Sequence, residues 1–371
     1  AAEVALMDVE CGSLHGGPIA DAPAGLAHFI EHCLFEKSGG DISDRFSALG
    51  GEINASTSFT STQYTLHCSG NLCSQIDLLF ELVLNPYWDQ ALIDKERDVI
   101  TSEIHLYQDD AEWGGFTTAL RSAYGPHPIA AEIAGSVADV ARIDEAVLGA
   151  WHRVYYRPQN MNLFLSGDIA VDGIIETCER AIEKFAAQLA DQVAYPFDPV
   201  SALAQPQGPI ERKYPVSHPQ LYMVFADRRP PCQGRELLAR ELALELLLDI
   251  AFGPASIAYT QWYESGLIGG DSFAAEVYAE RSFRFCMLTS ETPNPELLAS
   301  EIDRVLGEMA VSNQWQQELP RAKRKAYGQL VRSFENAENC VELMQAAVHC
   351  GAHPFDYIAL CDALGVREIE S

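Results

Sequence analysis

The stretch Gly25-Leu26-Ala27-His28-Phe29-Ile30-Glu31-His32 constrains this chain more than any other, because on a helix it sets two imidazoles and a carboxylate on one face. His28 and His32 are four residues apart and so lie within about 40° of each other on successive turns. Glu31 follows His28 by three residues and falls on the same side, beside any ion that the histidine pair could hold. A histidine on an apolar helix is more often a satisfied core residue, so the pair needs a distant partner. The stretch from Lys95 to Ile104 supplies it: Glu96 and Glu103 are two helical turns apart and face the same way. Two acids on one buried face are costly unless they serve a cation or its ligands.

A catalytic zinc takes three protein ligands and leaves one position open for water. His28, His32 and Glu103 are the expected ligands. Glu31 is then the expected catalytic acid/base, taking a proton from that water and passing it to the leaving amine. Glu96 is expected behind them, steering a histidine ring. His28-x-x-Glu31-His32 spells the inverted zinc-peptidase pattern.

A chain of 371 residues, 48% of them hydrophobic, can bury two ordinary cores. Its 53 acidic against 25 basic residues give a formal net charge of −28, which repels phosphate backbones and anionic lipid. Nucleic acid and membrane are therefore not expected as partners, whereas a basic peptide would be attracted. The ten cysteines contain no C-x-x-C pair, and several, such as Cys178 and Cys286, fall in apolar segments, as reduced buried thiols do. No signal-peptide pattern opens the chain and no apolar run reaches about 18 residues, so the expectation is a soluble cytoplasmic protein.

Along the chain, a strand at Val4–Val9 precedes a Gly/Pro-rich loop to Pro23 and the histidine helix to about Phe35. A helix at Ile42–Leu49 stops at Gly50-Gly51. Glu52 to Cys68 reads as two strands turning near Thr60-Ser61. Helices follow at Ile76–Leu84, Asp94–Tyr107 and Val137–His152, then a strand near Asn162–Ser166 and a helix at Ile169–Phe185. A Pro-rich passage over 187–209 reads as a linker between a metal-binding half, 1–186, and a metal-free half, 210–371. The second half repeats the pattern, with a strand at Gln220–Phe225, helices at Arg235–Phe252 and up to Gly266, strands between residues 271 and 288, and a helix at Pro295–Met309. Phe164-Leu165-Ser166-Gly167 with its following helix is echoed by Met287-Leu288-Thr289-Ser290 with its own. The fold class expected is α+β, two related halves each with a mostly antiparallel sheet covered by helices.

These residues carry a family resemblance. Gly25 to Phe35, Asn54-Ala55-Ser56-Thr57-Ser58, Glu96 with Glu103, and Tyr156-Arg157-Pro158-Gln159-Asn160-Met161 together resemble the zinc-bearing subunit of the small, processing-peptidase branch of the pitrilysin/insulinase family. The resemblance implies a chamber enclosed with a partner pair of halves, where a substrate peptide adds as a strand beside the zinc. Asn54, Ala55 and Ser56 would be its substrate-binding contacts. In self-sufficient members the second half carries an Arg and, seven residues later, a Tyr that bind substrate and oxyanion, and this chain has Trp262 and Gly269 there. Losing such donors costs about a hundredfold in rate. The resemblance therefore implies a heterodimer with a paralogous zinc-less partner, unless Tyr263 or Arg281 substitutes within the chain. The chain resembles zinc-bearing subunits found beside peptide-modifying enzymes, where leader peptides of ribosomally made products are removed, and others found beside translation-factor modification genes. The alternative from another class is a structural subunit that keeps fold and zinc for assembly.

Overall fold

The computed structural model describes residues 3–11, 22–125, 127–185, 208–270 and 272–366. The chain forms two compact units that interleave in sequence, one of Ala1–Tyr107, Ala131–Val200 and Asn336–Gln345, the other of Gln108–Ala130, Ser201–Glu335 and Ala346–Ser371. Most of the Pro-rich passage expected as a linker lies outside the described residues.

The first unit is built on a four-stranded antiparallel sheet in the order β4-β5-β1-β6, where β1 is Glu3–Glu10, β4 Gly51–Thr57, β5 Ser61–Cys68 and β6 Met161–Ser166. Strand β1 is central, so its residues Val4 to Val9 are buried on both faces and read as a continuous apolar run rather than an alternation. Strand β4 is an outer strand among the described residues and alternates, with Glu52, Asn54 and Ser56 exposed. A two-stranded ribbon, β2 (Glu36–Lys37) with β3 (Gly40–Asp41), extends from the end of helix α1, Leu26–Phe35.

Helix α1 forms because Leu26, Phe29, Ile30, Cys33 and Leu34 make one apolar stripe, and all five are buried. Phe29 and Ile30 are fully enclosed, each contributing about 1.5–3 kcal/mol by burial. The helix starts at Gly25, whose φ of +87° is left-handed. A Cβ on Gly25 would stand 2.3 Å from the Ala134 carbonyl oxygen, and one on Gly135 (φ +74°) 2.3 Å from that of Ala24, so two backbones meet where only glycine fits. Helix α2 (Ser43–Ala48) links the ribbon to β4. Helix α3 (Leu72–Leu84) has its C-terminal Leu82 and Asn85 carbonyls bonded by the buried Lys37 ammonium at 3.0 and 2.8 Å. Helix α4 (Gln90–Asp109) is longer than the pattern predicts.

The helix expected over Val137–His152 is two, α6 (Val137–Val140) and α7 (Glu145–Tyr155). Asp144 causes the break: in extended conformation, it accepts a hydrogen bond from the Val147 N–H and starts α7 afresh. Helix α8 (Val171–Lys184) closes the unit.

The second unit contains helix α5 (Ala111–Tyr124), which the sequence reading passed over although Asp110 caps it through the Glu112 and Trp113 N–H groups. Its three-stranded antiparallel sheet runs β7-β9-β8, with β7 Gln220–Ala226, β8 Ala274–Ala279 and β9 Arg284–Glu291. Around it lie α9 (Arg235–Phe252), α10 (Ile257–Glu264), α11 (Pro295–Val311), α12 (Trp315–Ser333) and α14 (Asp356–Ala363). Helix α13 (Ala337–Cys350) begins among residues of the first unit. The internal repeat is present but in a different phase from the one expected. The order β4-β5-β1 matches β8-β9-β7, so the counterpart of Met287–Ser290 is β5 and not β6: a central strand and an edge strand share an apolar string, and only their pairing separates them.

Candidate metal centre

Helices α1 and α4 bring three donor atoms together. His28 Nε2 lies 3.6 Å and His32 Nε2 3.5 Å from Glu103 Oε2, and the potential ligand atoms of the three residues lie within 4.8 Å of one another. Tetrahedral ligands at about 2.0–2.2 Å from a zinc stand roughly 3.3–3.6 Å apart, so these separations suit one ion with little rearrangement. Glu103 Oε2 is buried without a hydrogen-bond partner, although it faces two ring nitrogens. An acceptor converging with two imidazole nitrogens is satisfied by a cation, and the donor set of two nitrogens and one carboxylate oxygen is one that zinc takes.

The electrostatics prepare the rings differently. Burial, with His32 nearby, lowers His28 to about 4, leaving a neutral ring at neutral pH. Burial also pulls His32 down, but the bond to Glu96 and the charges of Glu103 and Glu31 outweigh it and leave the ring above its usual value. Glu96 Oε2 stands 3.3 Å from His32 Nδ1, which turns the opposite nitrogen toward Glu103. The other oxygen of Glu96 faces the Lys95 ammonium at 3.3 Å.

Glu31 is 8% exposed, one residue before His32. Burial raises its carboxyl above the ordinary value, partly offset by a hydrogen bond from Thr57. A raised carboxyl approaches the range in which a group both takes and returns a proton near neutrality. The Thr57 hydroxyl donates to Glu31 Oε2 at 2.5 Å. The sequence reading did not single out Thr57. Strand parity was the available signal, since Asn54 and Ser56 share one face of β4, while Ala55 and Thr57 share the face toward the core.

Asn54, Ala55 and Ser56 lie on the outer strand, one to three residues before Thr57, with Asn54 Oδ1 accepting from the Ala55 N–H at 2.9 Å. In the second unit, Trp262 is buried on α10 and stacked on Phe252 at 5.9 Å, and the Gly269 N–H donates to Ser272 Oγ at 2.9 Å. Tyr263 is exposed on the same helix.

Two related α+β halves, one bearing a helical histidine pair with a distal carboxylate, define the class of two-half zinc-protease folds. Family models described as "Insulinase (Peptidase family M16)" and "Peptidase M16 inactive domain" match residues 1–136 and 142–326. The chain belongs to peptidase family M16. It is 29% identical over 353 residues to the uncharacterized zinc protease YmfH of Bacillus subtilis, covering 94% of this chain and 81% of that one. It is 34% identical over 157 residues to the uncharacterized zinc protease Rv2782c of Mycobacterium tuberculosis, covering 41% of this chain and 36% of the relative. The crystal structure of an M16-like peptidase from Alicyclobacillus acidocaldarius has the same fold, with a TM-score of 0.87, 24% identity, and coverage of 100% of this chain and 88% of that one. A protease from Helicobacter pylori follows, with a TM-score of 0.80, 16% identity, and coverage of 100% and 89%.

Proposed function

We propose that this chain is the zinc-bearing subunit of an endopeptidase that cleaves extended peptides, completed by a paralogous zinc-less subunit. The observation that carries the reading is the convergence of His28 Nε2, His32 Nε2 and Glu103 Oε2 beside the Glu31 carboxyl. His28, His32 and Glu103 would hold a zinc ion, which would supply Lewis acidity and make a nearby water more acidic. Glu31 takes the proton and returns it to the departing amine. Glu96 keeps the His32 ring turned. Among the described residues β4 is an outer strand, so its edge offers backbone groups for strand addition, and Asn54, Ala55 and Ser56 then flank the peptide. The net charge of −28 favours a basic peptide, and a leader segment of a ribosomally made product is the substrate class we favour.

Trp262 and Gly269 motivate the partner, because neither offers the phenol or guanidinium that an oxyanion needs. The same two residues favour the second reading, an assembly subunit that keeps zinc without turnover. All ten cysteines are free thiols and, among the described residues, no single helix is long and apolar enough to cross a membrane, which suits the cytoplasmic location we assign. The test is to purify the chain alone and together with a candidate zinc-less paralogue and to measure zinc content and peptide cleavage. We expect about one zinc per chain, cleavage only on mixing, loss of zinc in Glu103→Ala, and retained zinc with turnover reduced about a hundredfold or more in Glu31→Gln. Zinc retained in full after His28→Ala with His32→Ala overturns the site, and a zinc-loaded mixture that cleaves nothing leaves the assembly reading.

A further inference from the structure

Glu31 is held from behind by a partly buried pair of hydroxyls. Thr57 is the last residue of β4 and pairs in register with Thr62 of β5. Their hydroxyl oxygens stand 3.1 Å apart, and Thr62 is fully buried. A hydroxyl has one proton, and that of Thr57 goes to Glu31 Oε2 at 2.5 Å. Thr62 must therefore donate to Thr57, and the oxygen of Thr62 in turn lies 3.6 Å from the buried Cys11 sulfur. The two O–H groups point one way, toward the carboxylate, and each polarises the next.

The frame around this pair is fixed. The Ser58 N–H donates to the Ser61 carbonyl at 2.8 Å, and the Ser61 N–H donates to Ser58 Oγ at 3.1 Å, which closes the turn between Thr57 and Thr62. The Cys11 N–H donates to the Thr60 carbonyl at 2.7 Å and ties that turn to the end of β1. By contrast, a glutamate side chain has three rotatable bonds, and ordering it costs rotamer entropy. A charge-assisted hydrogen bond from a fixed donor offsets that cost.

We propose that Thr57, backed by Thr62, is a positioning residue for Glu31: it holds Oε2 on the strand side and leaves Oε1 as the atom that takes and returns the proton. The assignment rests on Glu31 being the proton carrier. The competing account is that Thr57 only satisfies a buried carboxylate, in which case its loss lowers stability and leaves turnover per folded molecule unchanged.

The test uses Thr57→Val, which keeps the shape and loses the hydroxyl, Thr57→Ser, which restores it, and Thr62→Val, each assembled with the partner subunit. Thr57→Val is expected to bind zinc stoichiometrically and to keep KM within about twofold, while kcat falls about 10- to 100-fold, the size of loss that a misplaced reacting group causes. Thr57→Ser is expected to recover to within about threefold of wild type, and Thr62→Val to fall between the two. A kcat for Thr57→Val within twofold of wild type, or Thr57→Ser no better than Thr57→Val, overturns the proposal. A readout independent of turnover is the Thr57 hydroxyl proton in the NMR spectrum. It is expected as a slowly exchanging downfield resonance, lost in Thr57→Val and shifted upfield in Glu31→Gln. A resonance at the same position in wild type and Glu31→Gln overturns the bond itself. If Thr57→Val does not fold, the Thr62→Val kinetics and this resonance decide in its place. A wild-type assembly with no zinc-dependent cleavage refutes the peptidase reading, while the resonance still decides whether Thr57 holds Glu31.

Discussion

Glu96 reaches the three donors through the His32 ring, so its removal measures what orientation contributes to metal affinity. Its Oε2 stands 3.3 Å from His32 Nδ1, and the carboxyl, 7% exposed, is held below its usual value first by that bond and then by Lys95. Carboxylates that orient a ligating imidazole are worth about 10- to 100-fold in metal affinity, roughly 1.4–2.8 kcal/mol. Glu96→Ala removes both charge and acceptor and is expected to weaken zinc binding by that factor. Glu96→Gln keeps an acceptor oxygen near Nδ1 and is expected to lose less. Lys95 faces the other oxygen at 3.3 Å, but its side chain is 57% exposed, and a solvated ammonium of this kind contributes about 1 kcal/mol at most. Lys95→Ala should therefore lie within about fivefold of wild type. Competition with a zinc-binding dye at fixed pH gives all three dissociation constants. An affinity for Glu96→Ala within twofold of wild type, or an equal loss in Lys95→Ala, refutes the claim that Glu96 acts by holding the ring.

Two predictions concern the frame that carries the site. Gly25→Ala forces a left-handed alanine against the Ala134 carbonyl, where its Cβ would stand 2.3 Å from oxygen; the expected loss is about 2–4 kcal/mol, seen as a lowered urea midpoint, and an unchanged midpoint sinks the argument. Lys37 is a base pushed by burial from 10.5 to about 7. Between those pH values the unfolded chain binds a proton that the folded chain has released, so folding gains stability as pH rises, by about 1.4 kcal/mol per unit. Below about 7 both states are charged and the cost is constant. Urea unfolding of wild type and Lys37→Met from neutral to alkaline pH should show their difference moving in favour of wild type as pH rises, and a movement the other way refutes the assignment.

The donors were legible because their geometry is local. His28, Glu31 and His32 fall within five residues, and Glu96 and Glu103 are two turns apart on α4, so helical periodicity sets each group without knowledge of the tertiary fold. The sheets were legible where alternation is strong, as in β4 and β5. What failed was whatever depends on pairing or on a single cap. Asp144 splits a periodic apolar stretch by one hydrogen bond, and nothing in the periodicity marks it. Helix α5 contains Gly114 and Gly115, which weaken its helical signal; in the structure they lie against Tyr214 and Tyr222, where a Cβ would stand 2.0 Å from the Tyr214 hydroxyl oxygen and 2.2 Å from Tyr222 Cε2. The phase of the internal repeat needs strand order, which no run of apolar residues contains.

Charge explains why the parts of the site belong together. Two neutral imidazoles and the Glu103 carboxylate would leave a dication held there with one unit of positive charge, and the Glu31 carboxylate beside it would bring the total to zero. The balance matters because Glu31 and Glu96 are both nearly buried, at 8% and 7% exposure, and carboxylates in that position are stable only with nearby positive charge. Lys95 serves Glu96 and Glu36, at 3.3 and 2.5 Å, and its ammonium is on the far side of Glu96 from the rings. Glu31 has the Thr57 hydroxyl and the His32 ring to hold its carboxyl down against burial and the Glu103 charge. Without the ion, burial raises Glu31 toward its protonated form, in which it cannot act as a base. With the ion, the same burial strengthens the attraction that keeps it ionised. A zinc ion held there would therefore supply the charge that keeps the proposed proton acceptor ionised, which is why the two functions would share one buried site rather than two adjacent ones.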